Sequence, residues 1–358
     1  MHSAVLEHPH HAGRMHHAAA VGQAHSAHHR VTDPPAAGPV ATAAVTPATS
    51  TTFSVVAQFS NASFLGTAAI TDNDIWAVGY STATGTEEPL AVHFDGTSWS
   101  AVSTPTLSGG GLFRGVTAVA SNDVWAVGTQ LGSTDEPLIE HWDGTSWSVV
   151  SSPPTGSGSL SAVSADASND VWAAGSEMLH WDGTSWSVVS SSTVVGLGGS
   201  GVSADASNDV WAVGGNAISH FDGTSWTRTV LPPALYGGPA LFGVAALSPS
   251  NVWAVGMVRP SSAFEWRPLT EHWNGTSWSQ VGSPDPNPKI GYNLRAIAAI
   301  SASDIWAAGT VNIEHWDGTS WSIVSAAPSG VSGALHAVAA LSDGTVVIVS
   351  SGGTIIEN

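Results

Sequence analysis

A pair of tryptophans recurs along the chain, and this recurrence restricts the fold more than any other feature. The first stands at Trp76, Trp125, Trp172, Trp211, Trp253 and Trp306; the second at Trp99, Trp147, Trp186, Trp226, Trp278 and Trp321. The spacing runs from 39 to 53 residues, the length of one small supersecondary unit that cannot bury its apolar face alone. Of the 17 Trp, sixteen hold repeat positions, counting Trp142, Trp181, Trp273 and Trp316, and Trp266 is the exception. The fullest unit reads Val116 to Gly128 (VTAVASNDVWAVG), a variable loop, then Leu138 to Val150 (LIEHWDGTSWSVV).

Each unit reads as four short strands, A to D. β-Branched and aromatic residues alternate, Ser-Asn-Asp separates A from B, and Asp-Gly-Thr-Ser separates C from D, which are hairpin signals. Helical periodicity is absent. Six units are complete, and the C-terminus adds strands A, B and C of a seventh at 334–341, 345–349 and 354–357. The missing strand D stands at the front, where Thr51 to Val56 (TTFSVV) aligns with Thr145 to Val150 (TSWSVV) and Phe53 takes the Trp place. The expected fold is all-β: a seven-bladed β-propeller over 51–358, its blades four-stranded and antiparallel, the last closed by residues 51–58 pairing with 334–357. Closure of this kind leaves no open seam and predicts a monomer.

Residues 1–50 are expected to lie outside the propeller. Nine of the 16 His fall in residues 1–30, and an Ala/Pro/Thr stretch follows that reads as a mobile linker. The tract lacks the apolar run of a signal peptide, and its imidazoles suit divalent transition metals, so metal binding by this tail is one functional expectation.

Composition excludes several classes. The chain has no Cys, which removes disulfides, thiolate metal sites and cysteine nucleophiles. Lys plus Arg number 8 against 27 Asp plus Glu, a formal charge of −19. Nucleic acid and anionic membranes are therefore disfavoured partners, and no apolar run is long enough to span a bilayer.

The repeats DVWAVG and HWDGTSW resemble a Trp-rich family of bacterial β-propeller repeat proteins, loosely grouped with kelch and galactose-oxidase-like propellers. The resemblance covers 51–358 and implies the fold; it carries little about function, since a propeller hosts many chemistries. A copper radical oxidase of the galactose-oxidase kind needs a Cys–Tyr crosslink and is excluded. The resemblance also implies an extracellular or cell-surface setting; a cytoplasmic one is the alternative.

Every complete blade carries Asp, His, Ser and Trp, in blade 2 Asp123, His141, Ser146 and Trp125. The set looks like a nucleophilic triad, but six copies of the His (His93, His141, His180, His220, His272, His315) imply a job that every blade shares. An imidazole between the Asp and the Ser hydroxyl would tie the A–B turn to the C–D turn. Blade 5 replaces two acids by Asn251 and Asn274, as though both turns belong to one network.

Function is expected on the opposite face, where B–C and D–A loops vary. Blade 5 places Arg259, Phe264, Trp266 and Arg267 there, and D–A loops add Tyr236 and Tyr292. Strand A aligns without gaps, so Leu65, Arg114, Ser161, Ser200, Phe242, Arg295 and His336 share one ring position at the channel mouth. Arg114, Arg295 and His336 form a candidate anion or carboxylate seat. Five residues further on, Asp166 and Asp205 replace apolar neighbours and are candidate channel carboxylates. These residues predict a non-catalytic propeller that binds a glycan or protein, without a cofactor. A glycan hydrolase or lyase is the alternative, with Asp166 and Asp205 near Glu87, Glu88, Asp135 or Glu136.

Overall fold

The hairpin signals do produce strands. The computed structural model describes residues 52–153, 158–189, 194, 200–231, 238–259, 265–285, 291–310 and 312–358. The chain divides into two units, Met1–Pro47 and Ala48–Asn358. The first fifty residues, with the His-rich tract, lie outside the described residues.

The second unit holds seven four-stranded antiparallel sheets, each a meander of consecutive strands except the one that closes the ring. In blade 2 the strands are A (Gly111–Ala120), B (Asp123–Gln130), C (Glu136–Trp142) and D (Trp147–Val149). The innermost A strands touch in ring order, blade 7 meeting blade 1. In blade 7, Leu335–Ala340, Val346–Ser350 and Thr354–Glu357 are followed in space by the N-terminal strand Ser54–Gln58, which pairs antiparallel with Thr354–Glu357.

The tryptophans are the joints between blades. In blades 1 to 5 the strand-B Trp inserts between the strand-C and strand-D aromatics of the next blade. Trp76 meets Trp142 and Trp147 at 5.2 and 5.3 Å; Trp125 meets Trp181 and Trp186 at 5.0 and 5.5 Å. Trp172 packs on Phe221 and Trp226, Trp211 on Trp273 and Trp278, and Trp253 on Trp316 and Trp321. Tilted and edge-on contacts of this kind add about 0.5–1.5 kcal/mol beyond area burial. The sixth joint is made by Trp306 with Phe53, edge-on at 5.9 Å. The seventh has no Trp on its strand B: Val347 stands there and packs with Phe94 and Trp99 of blade 1.

The turns explain the repeat's fixed letters. In the C–D turn the Asp143 carboxylate accepts the N–H groups of Thr145 and Ser146, and Gly144 has φ +93°, a backbone conformation a side chain would strain. These bonds, with one from the Thr145 hydroxyl, hold the Asp143 carboxyl down at about 2. The Gly that ends DVWAVG serves a different purpose, because a Cβ at Gly128 would collide with the Leu112 carbonyl on strand A.

Phe53 is 4% exposed and, among the described residues, holds the only ring contact across the joint of blades 6 and 7, so Phe53→Ala is expected to cost about 3–5 kcal/mol. Urea unfolding of the full chain measures this, and a loss below about 1 kcal/mol, outside that range, would contradict the closure described.

Candidate functional site

The repeated Asp and His do meet. Nε2 of His93, His141, His180, His220 and His315 lies 2.7–2.9 Å from the strand-B Asp of the same blade, and blade 5 keeps the contact with Asn251 Oδ1 at 2.9 Å from His272. The indole N–H of Trp125 donates to the same Asp123 oxygen at 3.0 Å, as do its counterparts in blades 3, 4 and 6. Each imidazole also lies against that Trp, with ring centroids 3.9–4.5 Å apart. Burial alone would raise the Asp123 carboxyl, but hydrogen bonds with His141, Ser168 and Trp125 outweigh it and hold it low. The group is a clamp that fixes the wedge Trp.

The serine arm differs from the expectation. Ser146 does not meet the imidazole; its N–H is held by Asp143 in the C–D turn. The Asx turn fixes the backbone there, and the hydroxyl that approaches His141 is that of Ser148, on its backbone carbonyl at 3.5 Å. Among the described residues, the His141 ring is bonded to Asp123 and not to a side-chain hydroxyl. The two blade 5 amides also belong to separate networks: Asn251 meets His272, while Asn274 accepts the N–H groups of Thr276 and Ser277.

The channel mouth is made by irregular strands. The register of strand A slips once near its start, at Leu65, Arg114, Ser161, Phe242, Arg295 and His336. A bulge leaves one residue out of the ladder and re-aims its side chain. These six residues, with Ser200, line one cavity of about 230 Å³. The next residue is always Gly or Ala, because neighbouring A strands crowd there: a Cβ at Gly66 would sit 3.1 Å from the Gly115 Cα. A second slip recurs near the other end of strand A, and in blades 3 and 4 it holds Asp166 and Asp205. Each of these carboxylates is engaged by neighbouring groups, and they lie at the opposite end of the strand from Arg114 and Arg295.

The mouth is electropositive in an acidic protein. Among the described residues neither Arg114, Arg295 nor His336 forms an ion pair or a side-chain hydrogen bond, and Arg295 Nε is buried without a partner. Burial lowers the Arg295 guanidinium. His336 falls to about 4, through burial first and then the charges of Arg295 and Arg114. Beside the mouth, Arg114 also borders a groove of about 440 Å³ that Glu87 and Asp135 line.

The remaining candidates are distributed elsewhere. Arg267 pairs with Asp285 at 3.1 Å. Tyr292 is buried, donates to the Pro284 carbonyl at 3.0 Å, and has its hydroxyl pKa raised by burial. Trp266 is half-buried, and its carbonyl accepts the Tyr292 N–H at 3.3 Å. Arg259 is half-buried with a partnerless Nε. None of these four lines the mouth cavity. Phe264 and Tyr236 lie outside the described residues. No group of three or more His, Asp or Glu converges as metal ligands would among the described residues. Sequence reasoning missed three buried carboxyls: Glu140, Glu271 and Glu314, at the strand-C position before the His. Other blades hold Val92 and Leu179 there, which was the available signal for a core position.

No family model matches the chain, and no curated protein matches it in sequence. Solved structures match its fold. YCF48 bound to D1 peptide is 15% identical with a TM-score of 0.62, covering 85% of this chain and 96% of that one. Virginiamycin B lyase from Staphylococcus aureus is 13% identical with a TM-score of 0.63, covering 86% and 98%. The WD40 β-propeller domain of Doa1 is 10% identical with a TM-score of 0.59, covering 86% and 96%. The likeness is one of fold.

The His336 shift carries a sign. Its folded pKa lies below the unfolded value near 6.5, so the stability it contributes is present above that value and is lost as pH falls toward 4. A His336→Asn variant is expected to lose less stability than the wild type between pH 6.5 and 4, read from urea midpoints. Parallel curves would contradict the burial of a neutral imidazole beside two arginines.

Proposed function

We propose that the chain is a non-catalytic binding propeller that seats a carboxylate of a protein or peptide ligand at the channel mouth. The carrying observation is the trio Arg114, Arg295 and His336, which shares one 230 Å³ cavity with no carboxylate partner among the described residues. Both guanidinium groups line this cavity without a counter-ion among the described residues, and a ligand carboxylate would meet them through charge-assisted hydrogen bonds. The repetition of the His–Asp–Trp clamp in five blades, with Asn251 for the Asp in blade 5, supports a scaffold role for the rest of the machinery. A neighbour in fold, YCF48, is described with a bound peptide, and this lends the peptide reading its weight. A glycan bearing a uronate presents the same group and is the other occupant. The kinship with Trp-rich, kelch-like bacterial propellers rests on the repeat motifs, and with it the cell-surface or extracellular setting.

A second reading, a hydrolase or lyase acting on a glycan, is favoured by one observation: Glu87 and Asp135 line the groove that Arg114 borders. Asp166 and Asp205 sit at the far end of strand A and do not join them.

Binding arrays of peptides with free or amidated C-termini, together with neutral and uronate glycans, test both. Free-carboxylate peptides are expected to bind, with amidation costing at least tenfold and Arg295→Gln or Arg114→Gln costing about 1.5–3 kcal/mol, the scale of a charged hydrogen bond. Equal binding of amidated peptides contradicts the carboxylate seat. Glycan turnover abolished by Glu87→Gln would replace the binding reading by the enzymatic one.

A further inference from the structure

We infer that the groove between blades 4 and 5 is a separate binding site for a small organic ammonium with an apolar body, Glu271 serving as its counter-ion. The residue before the strand-C His faces the preceding blade, and it is Glu in blades 2, 5 and 6. The three carboxyls meet three different surroundings. Glu140 is sealed, at 0% exposure, with neither oxygen partnered. Glu314 is also at 0% exposure, but its Oε2 accepts from Ser283 of the blade 5 D–A loop at 2.7 Å. Of the three, Glu271 alone lines an open groove.

The cause lies five residues after the strand-D Trp of the preceding blade. Ser283 occupies that place relative to Trp278 and caps Glu314. Thr104 occupies it relative to Trp99, but its hydroxyl is spent on the Pro89 carbonyl at 3.2 Å. Before blade 5 the place is taken by Leu231, counted from Trp226, and an aliphatic chain offers no donor. Glu271 is therefore 8% exposed and makes no hydrogen bond or ion pair among the described residues. Burial pushes its carboxyl up to about 7.

The groove it lines has a volume of about 640 Å³, within the usual range of about 300–1,000 Å³ for small-molecule sites. Its walls include Leu231, Val258, Leu269, Trp273 and Trp278, and no described Lys, Arg or His lines it. One acid among apolar, aromatic and neutral polar walls that lack any described cation calls for a ligand that brings one. An ammonium would favour the ionised Glu271, pair with the carboxylate away from water, and rest its body on the indoles. The strongly negative chain adds a favourable long-range field. The site lies between strands of two blades, apart from the channel mouth, and does not rest on the carboxylate reading.

Titration calorimetry on the full chain tests this with phenethylammonium and with 2-phenylethanol, which keeps the body and removes the charge. The ammonium is expected to bind at least tenfold more tightly than the alcohol, and Glu271→Gln is expected to weaken it at least tenfold. Leu231→Ser provides a second variant, placing a hydroxyl where Ser283 caps Glu314; it too should weaken the ammonium severalfold, and it decides the matter if Glu271→Gln does not fold. No binding of the ammonium, equal binding of the alcohol, or binding that survives both substitutions overturns the inference.

Discussion

Five of the seven joints in this ring depend on one wedge: the strand-B tryptophan held between two aromatics of the next blade. A four-stranded blade this short cannot bury its own faces, so its stability resides in what lies between blades. The wedge must therefore be both large and fixed. Size comes from the indole. Fixity comes from the Asp below it, which accepts the indole N–H in four blades, and from the His stacked on it, which the same Asp orients. The Trp of strand C is tethered separately, donating to a carbonyl of the A–B turn such as Ser121 or Ser168. The polar residues of the repeat thus serve the apolar joint, which is why a set that mimics a catalytic triad recurs around the ring.

A joint of this kind constrains one face and releases the other. The A–B turns are tied to the clamp and the C–D turns are fixed by their own Asx bonds, so both stay nearly identical. The B–C and D–A loops carry none of the wedge tryptophans and differ in length and content from blade to blade. The channel mouth follows the same logic at smaller scale. Bulges on strand A push one side chain out of the ladder at the mouth in six of the seven blades, and the close approach of neighbouring strands demands Gly or Ala next to it. The pushed-out residue itself is under no such demand. It is Leu, Ser, Phe, Arg or His, and this freedom is what lets two arginines and a histidine gather where the scaffold needs none of them.

Blade number, ring closure and the mouth residues were legible because strand A aligns without gaps, so equal sequence positions mean equal places on the ring. Phe53 could be placed by the same rule. What was hidden depended on register and on partners distant in sequence. The bulges appear only once strands A and B are paired. Arg267 and Tyr292 read as exposed loop groups, yet Asp285 and Pro284 occupy them across a turn. Ser146 read as a hydroxyl aimed at His141, while the Asx turn had already claimed its backbone. The interior place of the strand-C glutamates was not read from the sequence, although the Val and Leu that replace them in other blades mark it. In each case a non-local contact decided the role that the local pattern left open.

We propose a division of labour between two sets of residues: repeated polar groups build the ring, and the unrepeated cations at the mouth are the proposed seat of a ligand anion. Anomalous diffraction from a bromide-soaked crystal tests that division most directly, because it lets the protein choose its own anion sites. The strongest peak is expected in the mouth cavity, in contact with Arg295 and Arg114, with none at the His–Asp clamps. A map with no bromide at the mouth and peaks on other basic groups would contradict it.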